Sequence, residues 1–110
     1  MTAKEEILAS FRSALETPGA ERSGNIIAEE LKWRAARYLA DDRAILVEAI
    51  SDWLNSGDEL LVTQAAVLIQ EFQLRELQAD IERVRTDVVA GRLMKPSSAW
   101  IFDRALDRLR

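Results

Sequence analysis

Three adjacent carboxylate pairs, Glu29-Glu30, Asp41-Asp42 and Asp58-Glu59, are the residues of this chain with the clearest potential for chemistry. Paired acids can share general-acid and general-base work or hold a divalent cation. Neighbouring residues on a helix point about 100° apart, however, so none of these pairs chelates by itself. Asp41-Asp42 and Asp58-Glu59 stand where helices are expected to begin, and acids there complement the positive end of the helix dipole. Capping accounts for them better than catalysis. The chain has no histidine and no cysteine, which removes the commonest acid–base group, the commonest metal ligand, thiolate nucleophiles and disulfides. It also has no glycine-rich phosphate loop. No catalytic residue, cofactor or metal site is therefore expected, and an enzyme ranks last among the functions.

Binding is the remaining chemistry. Glu30, Arg34 and Arg37 fall on one charged face of a helix expected near residues 25–40, with Glu30 and Arg34 at i,i+4 spacing. That face is either a solvated ion-pair surface or a binding patch. The formal net charge of −4 conceals an uneven distribution: residues 1–74 carry 7 basic and 13 acidic side chains, and residues 75–110 carry 8 and 6. The C-terminal third is mildly basic, but Asp80, Glu82, Asp87, Asp103 and Asp107 interrupt it. A nucleic acid needs a continuous basic surface, so it is disfavoured as a partner.

The three tryptophans differ in position. Trp53 lies in a single apolar stripe and belongs in the core. Trp33 lies on the second apolar face of its helix and is core if that helix is covered twice. Trp100 projects away from the Ile101, Ala105 and Leu109 face, towards Asp103, Arg104 and Asp107. Either it folds back over Leu93 and the Lys95-Pro96 turn with Arg104 stacked on its ring, or it is an aromatic anchor for a partner. Thr63, Gln64, Gln70 and Gln73 form an uncharged polar set, which is either a contact strip of low desolvation cost or a strip partly covered by a neighbouring helix. The candidate partner-binding residues are Trp100, Arg104, Arg34, Arg37, Gln64 and Gln70.

Six helices can carry these residues, all in one domain spanning 1–110. The first is expected over 3–16, with Thr2 and Glu5 at capping-box spacing and Ile7, Leu8, Phe11, Ala14 and Leu15 on one face. Pro18-Gly19 stops it, and residues 20–24 read as a loop. Helices follow over 25–40, 43–55, 58–73 and 75–90. Asp41 or Asp42 caps the third, and Ser56 with Glu59, or Asp58 alone, caps the fourth. Gly57 and Gly91 are placed as helix terminators. After Lys95-Pro96, Ser97 or Ser98 is expected to cap a last helix reaching Leu109.

Two helices have a wider apolar arc than the rest. The second shows one stripe of Ile27, Leu31, Ala35 and Leu39 and another of Ile26, Trp33, Ala36 and Ala40. The fourth is interrupted only by Thr63 with Gln70 and Gln64 with Glu71. Each contains an alanine pair, Ala35-Ala36 and Ala65-Ala66, thirty residues apart, which suits close helix–helix approach. Both are expected to be covered on two sides, in layers, with a closed helical bundle as the alternative.

The segments Leu31–Leu39 (LKWRAARYL) and Val62–Ile69 (VTQAAVLI), each followed by an amphipathic helix, resemble the hairpins of HEAT-like or armadillo-like repeats. The resemblance covers about residues 25–90 and leaves 1–24 and 91–110 as capping segments. It implies an all-α short solenoid of antiparallel hairpins acting as a scaffold or binding surface, and it carries over no catalytic residue. The expected function is protein–protein interaction, as an adaptor or small regulatory domain. Self-association through the uneven charge is the alternative, and nucleic-acid binding ranks below both. No apolar run approaches a membrane span and the N-terminal residues are not a signal peptide, so a soluble cytoplasmic protein is expected.

Overall fold

Side-chain caps decide where three of the helices begin. In α1 (Ala3–Leu15), Thr2 Oγ1 accepts the Glu5 amide at 3.1 Å, the first half of the expected capping box. The Thr2 hydroxyl itself donates to Glu5 Oε1 at 3.2 Å. Asp42 Oδ1 accepts the Ile45 amide at 3.3 Å and starts α3 (Arg43–Leu54). Asp58 Oδ1 accepts the Leu61 amide at 3.1 Å and starts α4 (Glu59–Phe72). Two of the three carboxylate pairs thus supply caps.

These helices belong to a computed structural model that describes residues 1–16 and 24–110. The Pro18-Gly19 stop and residues 20–23 of the expected loop lie outside the described residues, and Gly24, expected in that loop, opens α2. Among the described residues the chain is all-α, with six helices and no strand; α2 spans Gly24–Asp41, α5 Gln78–Val89 and α6 Ala99–Leu109. None of the described helices is long and apolar enough to cross a membrane.

The expected serine cap of α6 does not form. Pro96–Ser98 make a 3-10 turn that runs directly into the helix, and Ser98 is already helical (φ −81°, ψ −3°) with no side-chain capping bond. A capping side chain works from an extended backbone, and the proline-led turn denies Ser98 that conformation. A second 3-10 turn, Arg75–Leu77, precedes α5, so the helix expected from residue 75 begins at Gln78.

Helix ends follow glycine in two places and depart from it in a third. Gly57 and Gly91 both take φ +75°, as their positions demand. Beyond Gly91 the Arg92 amide reaches back to Asp87 O at 2.9 Å, closing the end of α5. α4 instead ends on Gln73 in the left-handed region (φ 50°, ψ 54°), which costs a non-glycine residue about 1 kcal/mol. The amides of Gln73 and Leu74 both bond to Ile69 O, and Leu74 is fully buried. That apolar closure offsets the strain.

The described residues group into two units, Met1–Ala49 and Ile50–Arg110, with the boundary inside α3. In the first unit α1 packs on α2. Ile7, Phe11 and Ala14 are buried on α1, and Ile27, Leu31 and Ala35 on α2. Arg34 ties the two helices: its Nη1 donates to Ser10 O at 2.8 Å and to Ser10 Oγ at 3.2 Å, and its Nε donates to Glu30 Oε1 at 2.9 Å.

In the second unit α6 packs against both α4 and α5. Phe102, Ala105, Leu106 and Leu109 are buried on α6, and Ile81, Val84 and Val88 on α5. Arg75 Nε donates to Leu109 O at 3.1 Å, occupying a carbonyl that the last turn of α6 leaves open. Arg85 donates to Asp103 across the α5–α6 pair, and Arg83 donates to Asn55.

The expectation of two double-sided helices holds for α4 and fails for α2. On α4, Val62, Gln64, Ala65, Ala66, Leu68 and Ile69 are all buried, a set that spans about 200° of its circumference and leaves Leu60 exposed on the other side. On α2 the Ile27, Leu31 and Ala35 stripe is buried, but the second stripe lies open. Ile26 is 40% exposed, Trp33 is 65% exposed, and Ala36 and Ala40 are exposed with them.

Candidate partner-binding surface

The open stripe of α2 holds an aromatic surface built by helical spacing alone. Measured from Trp33 at 100° per residue, Ile26 and Ala40 fall within 20° of it, Glu29 and Arg37 within 40°, and Glu30 and Ala36 within 60°. These residues therefore share one face, opposite the Leu31 stripe that is buried. Arg37 sits over the Trp33 ring, its guanidinium carbon 5.6 Å from the ring centroid. This cation–π contact holds the ring against its own helix and leaves its outer side to solvent.

Next to the ring, Ile26, Glu29, Glu30 and Trp33 line an open hollow of about 510 Å³. Glu29 pairs with Lys32 at 3.3 Å and its side chain is largely exposed. Glu30 is engaged by Arg34. The face is thus an apolar centre (Ile26, Trp33, Ala36, Ala40) with acids one turn before the tryptophan and a cation one turn after it. An exposed tryptophan beside aliphatic carbon and flanking charge is a composition found at interface centres.

The six residues singled out from sequence fall in different environments. Arg37 belongs to this face. Arg34 is adjacent in sequence, but its guanidinium bonds are made to Glu30 and Ser10, so it serves the α1–α2 contact. Gln64 is buried, at 6% exposure, and its Oε1 has no hydrogen-bond partner among the described residues. It therefore contributes nothing to an outer surface, and Gln70 is half-buried on the same helix. Trp100 is 59% exposed and Arg104 is exposed. The expected stack of Arg104 on Trp100 is not present among the described residues. On its own helix Trp100 shares a face with Asp103, Arg104 and Asp107, whereas Trp33 shares its face with Ile26, Ala36 and Ala40.

Two residues of the site, Ile26 and Trp33, were not among the sequence candidates. A signal for them exists. Five of the nine residues from Glu29 to Arg37 are charged, whereas none of the eleven from Leu60 to Gln70 is. A stripe so closely flanked by charge resists burial, because a charge removed from water needs a partner.

A polar hollow of about 660 Å³ lies in the second unit, lined by Glu82, Arg85, Thr86, Asp103, Leu106, Asp107 and Arg110. Its arginines already face carboxylates, Arg85 on Asp103 and Arg110 on Asp107. Both arginines are thus already neutralised within the hollow, and among the described residues the Glu82 carboxylate accepts only from the Gln78 side-chain amide at 3.5 Å. Among the described residues no group of acids is arranged to hold a metal ion.

No protein-family model matches the chain, and neither a curated protein nor a solved structure shows significant similarity to it.

Proposed function

We propose that this chain is a non-catalytic protein-interaction module whose contact surface is the outer face of α2. The observation that carries the reading is Trp33, 65% exposed and held by Arg37 beside the exposed Ile26. Solvating a large aromatic ring gains nothing for the monomer, and burying it against a partner removes apolar area from water. The absence of histidine and cysteine supports a non-catalytic role. The resemblance of the α2 and α4 segments to HEAT-like hairpins fits the same reading, since such folds act mainly through their surfaces.

Photo-crosslinking tests it. A benzophenone side chain at Ala36, beside Trp33, is expected to give a discrete protein adduct in native extract. The same group at the exposed Ala79 on α5 is expected to give none. Equal labelling from both positions, or no adduct from Ala36, would overturn the assignment.

A further inference from the structure

We infer that the partner seated on α2 is a second copy of this chain, its α2 lying antiparallel to the first about a two-fold axis at Trp33. The inference rests on the interaction role proposed for this face and names its occupant. Its basis is the self-complementary order of side chains along the helix. Trp33 stands at the middle of Gly24–Asp41. Glu29 and Glu30 lie one turn before it and Arg37 one turn after. Ile26 lies two turns before it and Ala40 two turns after.

An antiparallel pair centred on Trp33 sets the first half of each helix against the second half of the other. Arg37 of each copy then meets the Glu29 and Glu30 turn of its partner, at both ends of the contact. The bulky Ile26 meets the small Ala40, which lets the helix ends approach. The two Trp33 rings meet at the axis, each carrying its own Arg37 on its flank. A parallel pair would instead set Arg37 against Arg37 and acid against acid, so charge selects the antiparallel arrangement. An isologous contact of this kind closes at two subunits.

The surface is small. An 18-residue helix is about 27 Å long, and one such face lies at the low end of specific interfaces, so a weak, transient contact is expected. Self-association is then governed by the local concentration of the chain.

Sedimentation equilibrium of the full chain from low micromolar to millimolar concentration tests this. The expected result is a monomer–dimer equilibrium. Trp33→Ser should abolish it, and Arg37→Glu and Glu29→Arg should each weaken it by roughly tenfold. The combined E29R/R37E chain should regain most of the lost affinity, because the charges are exchanged and not removed. Unchanged helical circular dichroism in each variant separates lost association from lost folding. A monomer over the whole range would overturn the inference, as would a dimer indifferent to Trp33→Ser or a double variant no tighter than the single ones. A monomeric chain that still crosslinks a different protein from Ala36 would also overturn it, while leaving the interaction role of the face intact.

Discussion

α2 and α4 are built from similar material and end in opposite surroundings. Each is a long helix with an alanine pair near its middle and apolar residues over more than half its circumference. On α4 both members of the pair, Ala65 and Ala66, are buried, together with Leu68 and Ile69. On α2 Ala35 is buried, while Ala36, Trp33 and Ile26 stay open to solvent. What separates them is the charge interleaved with the apolar residues. Within the uncharged stretch Leu60–Gln70, Val62, Ala65, Ala66, Leu68 and Ile69 are buried at the cost of one amide side chain, Gln64. Enclosing the second stripe of α2 would take Glu29, Glu30 and Arg37 with it, and such groups stabilise a fold only where each finds a partner. The apolar part of that stripe is left available for a contact in which the partner supplies the complementary charge.

The contrast can be broken most directly in the core of α4. Leu68→Ala removes a buried side chain and is expected to destabilise the protein by about 2–5 kcal/mol, read as a fall in the urea midpoint. A loss below about 1 kcal/mol would mean that α4 is less enclosed than its burial indicates. The alanine pairs give a sharper comparison at smaller magnitude. Ala66→Leu overfills a packed position and should cost about 1–3 kcal/mol. Ala36→Leu adds the same atoms to an open surface and should change stability by no more than about 0.5 kcal/mol. Similar costs at the two positions would erase the distinction drawn between the helices.

Gln64 tests the one polar group enclosed with α4. Its Oε1 is buried without a partner among the described residues, so Gln64→Met, of similar volume and shape, should stabilise the protein by about 1 kcal/mol in the same denaturation measurement. Destabilisation would reveal a polar interaction that the amide makes within the fold. The smallest effect belongs to α2. Trp33→Ser should cost only about 0.5 kcal/mol, from the lost contact with Arg37, since the two residues have similar helix propensity. A large loss of stability on that substitution would show that the ring is part of the core, and the interaction role of this face would fall with it.

Local rules were legible in the sequence because they depend on neighbours within a turn. Thr2, Asp42 and Asp58 cap as their types and spacing require, and Gly57 and Gly91 end elements where a left-handed residue is needed. Local rules also fail locally when the chain finds another solution. The Pro96–Ser98 turn displaces the serine cap of α6, and buried Leu74 lets Gln73 take a glycine-like conformation. The site was partly legible. Helical spacing alone marks Arg37 as a surface charge, whereas Trp33 beneath it lies in an apolar stripe whose burial depends on a second covering helix.

The sequence by itself determined that the chain is helical, where most helices start and stop, and which residues share a face. Backbone capping, glycine conformation and the 100° step act over a few residues and need no knowledge of the rest of the chain. Only the tertiary structure decided which faces are covered. A tertiary neighbour encloses Leu31 and leaves Trp33 open about 3 Å of helix rise away. Hydrophobicity states what burial would gain, but whether another element arrives to provide it depends on the path of the whole chain.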